Sequence, residues 1–132
     1  MDNWPALLRQ VIAEHRAHPF EWGVSDCSLF ADAVLAMTGF DPVAGVRGYN
    51  SERSALRNLR RAGYETTADL VAAQFQEIDP AHAQRGDLGY PCQIRHPLMS
   101  PAVIDGQVAY SKSPGEGWVI VPVAMLTRTF AV

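Results

Sequence analysis

The sequence changes texture at Glu77, and that break restricts the folds open to it. Upstream, apolar residues recur at helical spacing. Leu7, Leu8, Val11, Ile12 and His15 follow Pro5, a residue suited to a first helical turn, and Pro19 ends the run. Leu29, Phe30, Ala33, Val34 and Met37 repeat the pattern in a second helix that starts near Asp26 or Cys27 and closes at Gly39. The stretch from Phe40 to Asn50 carries Pro42, Gly45 and Gly48 and reads as a loop. Asn50 or Ser51 caps a third helix through about Ala62, with Gly63 as its stop. Thr66-Thr67-Ala68-Asp69 opens a short fourth helix with Leu70, Val71 and Phe75. Downstream of Glu77, short β-like runs take over, near Asp87–Pro91, Ala102–Ile104, Gln107–Ser111, Trp118–Val121 and Thr127–Val132. Asp105-Gly106 is a hairpin signal and Pro114-Gly115 marks a second turn. Helices first and an antiparallel sheet afterwards mean an α+β fold. No repeat or linker interrupts the pattern, so residues 1–132 read as a single domain.

Composition narrows the function. Of 132 residues, 48% are hydrophobic and 19% charged, enough apolar content to build a core. The net charge of −3 argues against a dedicated nucleic-acid binder. No apolar run approaches the ~18 residues of a membrane span. Met1-Asp2-Asn3-Trp4-Pro5 lacks the basic and apolar regions of a signal peptide, so synthesis in the cytoplasm is expected. Cys27 and Cys92 are too few for a disulfide framework, although parity allows one bridge, and no C-x-x-C pair suggests zinc. His15 and His18 stand three apart without a third ligand. No metal or cofactor is expected.

The chemistry-bearing segment is Phe20-Glu21-Trp22-Gly23-Val24-Ser25-Asp26-Cys27-Ser28-Leu29-Phe30-Ala31-Asp32. It sets Cys27 after a Gly/Ser/Asp turn and at the start of an apolar helix. A thiol there faces unpaired backbone N–H groups and the positive end of the helix dipole, both of which favour thiolate. The alternative is a buried cysteine acting as a small hydrophobe. Asp26 can cap the helix, but its charge opposes thiolate formation. Trp22 is placed to pack beside Cys27 and shape a cleft.

These residues resemble the NlpC-type branch of papain-like cysteine peptidases, and more closely its small phage-tail relatives. The likeness rests on Trp22-Gly23, Asp26-Cys27, Phe30-Ala31-Asp32 and Thr38-Gly39. It continues at Arg85-Gly86-Asp87-Leu88, Ala102-Val103-Ile104-Asp105-Gly106 and Gly117-Trp118-Val119-Ile120-Val121-Pro122. It implies a papain-like, NlpC-type fold in which N-terminal helices, one bearing the nucleophilic cysteine, pack on a small C-terminal antiparallel sheet. It also implies a histidine on the second core strand as base, a polar residue on the third that orients it, and peptide stems of the bacterial cell wall as substrate.

The chain departs from that pattern where the histidine is due. Ser100 or Pro101 stands there, and the nearest histidine, His96, comes about four residues early. Tyr110, Ser111 and Lys112 are the local choices for the orienting residue. The candidate site is therefore Cys27 as nucleophile, His96 as base, and Trp22 and Asp26 as substrate contacts. A base must come within about 3 Å of the thiol, and the other reading of His96 is an exposed loop residue. The resemblance implies a component of a phage tail or tail-like particle, at or near the tail tip. Its partners would be other tail-tip or tail-hub proteins and peptidoglycan, with no nucleic acid and no membrane span. Two functions follow: cleavage of wall peptides as the particle penetrates its host, or a structural and assembly part without enzymatic activity. A host enzyme using the same fold for acyl transfer is a third class. Arg53, Arg57, Arg60 and Arg61 form one basic face of the third helix, either a solvated surface or a docking face for an acidic neighbour.

Overall fold

Capping residues place the helices of the computed structural model, which describes residues 3–91 and 93–132. Pro5 sits in the first turn of α1 (Trp4–Ala17), which buries Leu8, Ile12 and His15. The apolar α2 (Leu29–Thr38) ends at Gly39, whose N–H still bonds the Leu35 carbonyl and whose left-handed backbone turns the chain out of the helix. Ser51 and Ser54 form a reciprocal capping box at the head of α3 (Glu52–Arg61), and Thr66 and Asp69 do the same for α4 (Thr67–Gln74).

Six strands follow: β1 (Gln76–Ile78), β2 (Leu88–Tyr90), β3 (Ala102–Asp105), β4 (Val108–Ser113), β5 (Gly117–Pro122) and β6 (Arg128–Ala131). They form one antiparallel sheet in the order β1-β6-β2-β3-β4-β5. The β3–β4 hairpin turns at Gly106, where φ is +76°, as the Asp105-Gly106 signal predicts. The α+β class is as expected, with helices gathered on a C-terminal sheet.

Two details correct the sequence reading. β1 was not expected, because Gln76-Glu77-Ile78 is short and mostly polar; it forms by pairing with β6, where Gln76 faces Ala131. The second helix begins at Leu29, not at Asp26 or Cys27. Cys92 lies outside the described residues, and with it the cysteine pairing that parity allows; Cys27 is a free thiol.

The pleat divides the sheet side chains between two clusters. Leu88, Tyr90, Val103 and Phe130 join Leu8, Phe30, Val34, Leu59 and Leu70 in the main core. Ala102, Ile104, Ala109, Val121 and Leu126 form a smaller second cluster. Among the described residues no helix is long and apolar enough to cross a membrane.

Phe130, fully buried and edge-to-face with Tyr90 at 6.5 Å between ring centroids, ties β6 to the helical layer. Phe130→Ala should lower the unfolding free energy by about 3–5 kcal/mol in urea titrations; a loss under about 1 kcal/mol would show that β6 is not integral to the core.

Candidate functional site

The turn before α2 is built around one buried carboxylate. Glu21 and Ser25 exchange backbone hydrogen bonds of 2.8 and 2.9 Å and close the chain into a tight loop. Gly23 sits inside that loop at φ +82°, where a Cβ would lie 2.3 Å from the Tyr49 carbonyl oxygen, so no larger residue fits. Asp26 has no exposed surface. Its Oδ2 accepts from the Gly23 N–H at 2.8 Å and its Oδ1 from the Ser28 N–H at 2.9 Å. Burial, followed by the charge of Asp26, pushes the Tyr49 pKa up. Asp26 thus shapes the turn from within; burial leaves it no surface to offer a substrate.

Cys27 lies two residues before the first helical residue and is 7% exposed. Burial, then the charge of Asp26, push its thiol up from 9.0 to about 12; its own backbone N–H and the Ser100 hydroxyl oppose this and are outweighed. At pH 7 the thiolate is then on the order of one part in 10⁵. The helix dipole that was expected to favour thiolate loses to desolvation.

His96 is positioned by different bonds. Its Nδ1 accepts from the Leu98 N–H at 3.0 Å, so Nε2 carries the proton and donates to Glu52 Oε1 at 2.6 Å. Both ring nitrogens are therefore engaged away from the thiol. Ser100 donates its hydroxyl to the Cys27 carbonyl and has no basic nitrogen to offer. Cys27 lines an apolar cavity with Trp22, Tyr49, Leu59, Leu98 and Ser100. His96 lines two neighbouring hollows: a groove that includes Ser100, Ser111 and Ser113, and an open cleft that includes Phe20, Trp22 and Glu52. Trp22 and Ser100 are the shared walls. Trp22 is half-buried and edge-to-face with Phe20 at 5.0 Å and Tyr49 at 6.4 Å.

A second polar network supports the same turn. Lys112 on β4 is 2% exposed and donates to the His18 carbonyl at 2.5 Å and to the Ser25 hydroxyl. Burial pushes its ammonium pKa down, against the pull of Asp26. Ser25 Oγ lies 2.9 Å from His15 Nδ1, and His15 Nε2 lies 2.8 Å from Asp32 Oδ2. Arg47 joins Asp32 to Asp41 with two contacts of 2.7 Å. The Arg47 and His15 hydrogen bonds outweigh burial and hold Asp32 below the usual carboxylate range. Sequence reasoning missed this network; its one local signal was His15 on the apolar stripe of α1. His15 and His18 both spend ring nitrogens within the protein, His18 through Nδ1 on the Pro19 carbonyl.

Comparison with known proteins places this geometry. The model of one family, described as "Domain of unknown function (DUF6950)", matches residues 1–132. The chain belongs to the DUF6950 family. A search of curated proteins finds no match to this DUF6950 domain. Among solved structures, the crystal structure of the NlpC/p60 domain of the peptidoglycan hydrolase SagA superposes with a TM-score of 0.59 at 18% identity, covering 97% of this chain and 98% of that one. The DUF6950 chain therefore has an NlpC-like fold, as the Trp22–Asp32 motif implied.

Three measurements test the site. Alkylation of Cys27 by iodoacetamide should rise about tenfold per pH unit from pH 8 to 10, because thiolate grows that way below the pKa; a plateau near pH 8 would contradict the buried thiol. The folded thiol keeps its proton where the unfolded one, near 9.0, gives it up, so stability is full below about pH 9 and falls as pH rises through about 12. Cys27→Ala should make that alkaline fall shallower. Lys112→Met keeps most of the volume but leaves the His18 carbonyl and Ser25 without their donor, and should cost about 1–3 kcal/mol in chemical denaturation; wild-type stability would show the network to be incidental.

Proposed function

We propose that this DUF6950 chain is a component of a phage tail or tail-like particle, at or near the tail tip, whose NlpC-type cleft grips peptide without cutting it. The observation that carries the non-cutting part is the pairing of a protonated, buried Cys27 with a His96 whose two ring nitrogens are both committed elsewhere. Acyl transfer from a thiol needs a base within hydrogen-bond reach of the nucleophile. Ser100, at the head of β3, cannot take that proton. The cleft itself persists: Trp22 stands between the Cys27 cavity and the open hollow that holds Phe20, Glu52 and His96. Its aromatic wall and hydroxyl-lined groove suit a short peptide, and peptide stems of peptidoglycan are the ligand suggested by the SagA hydrolase domain of like fold. The tail assignment rests on the likeness of Trp22-Gly23, Asp26-Cys27 and the Gly117–Pro122 run to phage-tail relatives. A location in the virion tail and contacts with tail-tip or tail-hub proteins follow from it.

The test combines binding with turnover. The purified chain should cosediment with peptidoglycan sacculi, lose most of that binding in Trp22→Ala, and release no soluble peptide above a blank. Release that disappears in both Cys27→Ala and His96→Ala would make the domain a cysteine hydrolase. Failure to cosediment would leave a purely structural part. Mass spectrometry of purified particles from a producing host should find the chain in the tail fraction, and its absence there would refute the tail assignment.

A further inference from the structure

The exposed face of α3 is the most strongly charged feature outside the cleft. Arg53, Arg57, Arg60 and Arg61 are all exposed, and none belongs to an ion pair among the described residues. They occupy about 100° of the helix circumference, opposite the buried Ala55 and Leu59. Of the other cations, Arg47, Arg85 and Arg128 each rest on a carboxylate, Lys112 is buried in the network under the turn and Arg16 lies over the Trp118 ring, whereas Arg9 and Arg95 are exposed singly and form no stripe.

Arg60 and Arg61 lie in the last turn, where the helix dipole favours cations, but the rest of the arrangement works against the helix that carries it. Arg53–Arg57 and Arg57–Arg61 are like charges four residues apart, which repel on a helix surface. Arg53 lies in the first turn, at the positive end of the dipole, where an acidic residue is favoured. The one acidic residue of α3, Glu52, is already held by His96. A stripe of guanidiniums without internal partners is an incomplete set of bidentate hydrogen bonds, complementary to carboxylates at matching spacing.

We infer that the outer face of α3 docks an acidic protein segment through Arg53, Arg57, Arg60 and Arg61. The stripe is one short helix long, about 15 Å. It is bounded in sequence by Glu52 before Arg53 and by Glu65 beyond Arg61. A continuous polyanion such as DNA would run past the stripe onto those carboxylates and over a chain of net charge −3. A compact acidic patch on a neighbouring protein meets only the arginines. The inner face of the same helix supplies Ala55 and Leu59 to the Cys27 cavity, so the partner would sit directly behind one wall of the cleft. The inference does not depend on what the cleft does.

The experiment uses the full chain and two polyanionic probes at low salt, a fluorescein-labelled octaglutamate peptide and a labelled DNA duplex long enough to stay paired, read by anisotropy and compared per unit charge. Octaglutamate should bind, weaken at least tenfold in the double variant Arg53→Ser/Arg57→Ser, and be unchanged in Arg9→Ser, an exposed arginine on α1. Circular dichroism should show both variants folded. No binding of octaglutamate, equal weakening by Arg9→Ser, or tighter binding of the duplex than of the peptide would each overturn the inference.

Discussion

The Asp26 carboxylate is the interaction on which the rest of the site depends. It is withdrawn from water, and it stays there because the Gly23 and Ser28 N–H groups bond its two oxygens. Those bonds join the glycine loop to the cap of α2. A buried charge without such partners costs several kcal/mol, so the loop geometry and the carboxylate enforce each other. Gly23 is part of the same bargain, since only a residue without a side chain lets the loop close over Tyr49.

That solution has a chemical side effect. The feature that positions Cys27 also surrounds it with low-dielectric protein and a negative neighbour, and both favour the neutral thiol. Position and reactivity, which a sequence motif joins, come apart here. Ser100 and His96 show the same separation from the sheet side. The residue at the head of β3 is spent on the Cys27 carbonyl, and the nearby imidazole is spent on Glu52 and the Leu98 amide. Ser100 and His96 each have a structural task that competes with a catalytic one.

Local chemistry was legible in the sequence and long-range pairing was not. Ser51 and Thr66 announce α3 and α4 because a cap acts within three residues of itself. Asp105-Gly106 announces its hairpin for the same reason. The address of Cys27 was readable, but the start of α2 was placed too early because Asp26 bonds to Ser28 in a turn rather than opening the helix. β1 has no signature of its own, since its existence depends on β6. Lys112 and Ser25, or His96 and Glu52, meet only after the fold has brought them together, so no spacing rule can reveal either pair.

The strand order carries a consequence for the time course of folding. β6 lies between β1 and β2, so the sheet has a vacant central lane until residues 128–131 have been synthesised. Until then β2 offers an unpaired edge, and Asp87 lacks the Val132 N–H that its carboxylate accepts at 3.0 Å. The helical half can collapse early through contacts of short range, chiefly α1 against α2. The sheet half must wait with an open seam, exposed to any other strand that can fill it. The seam closes only when the β6 residues have been made and have paired on both sides, with β1 and with β2.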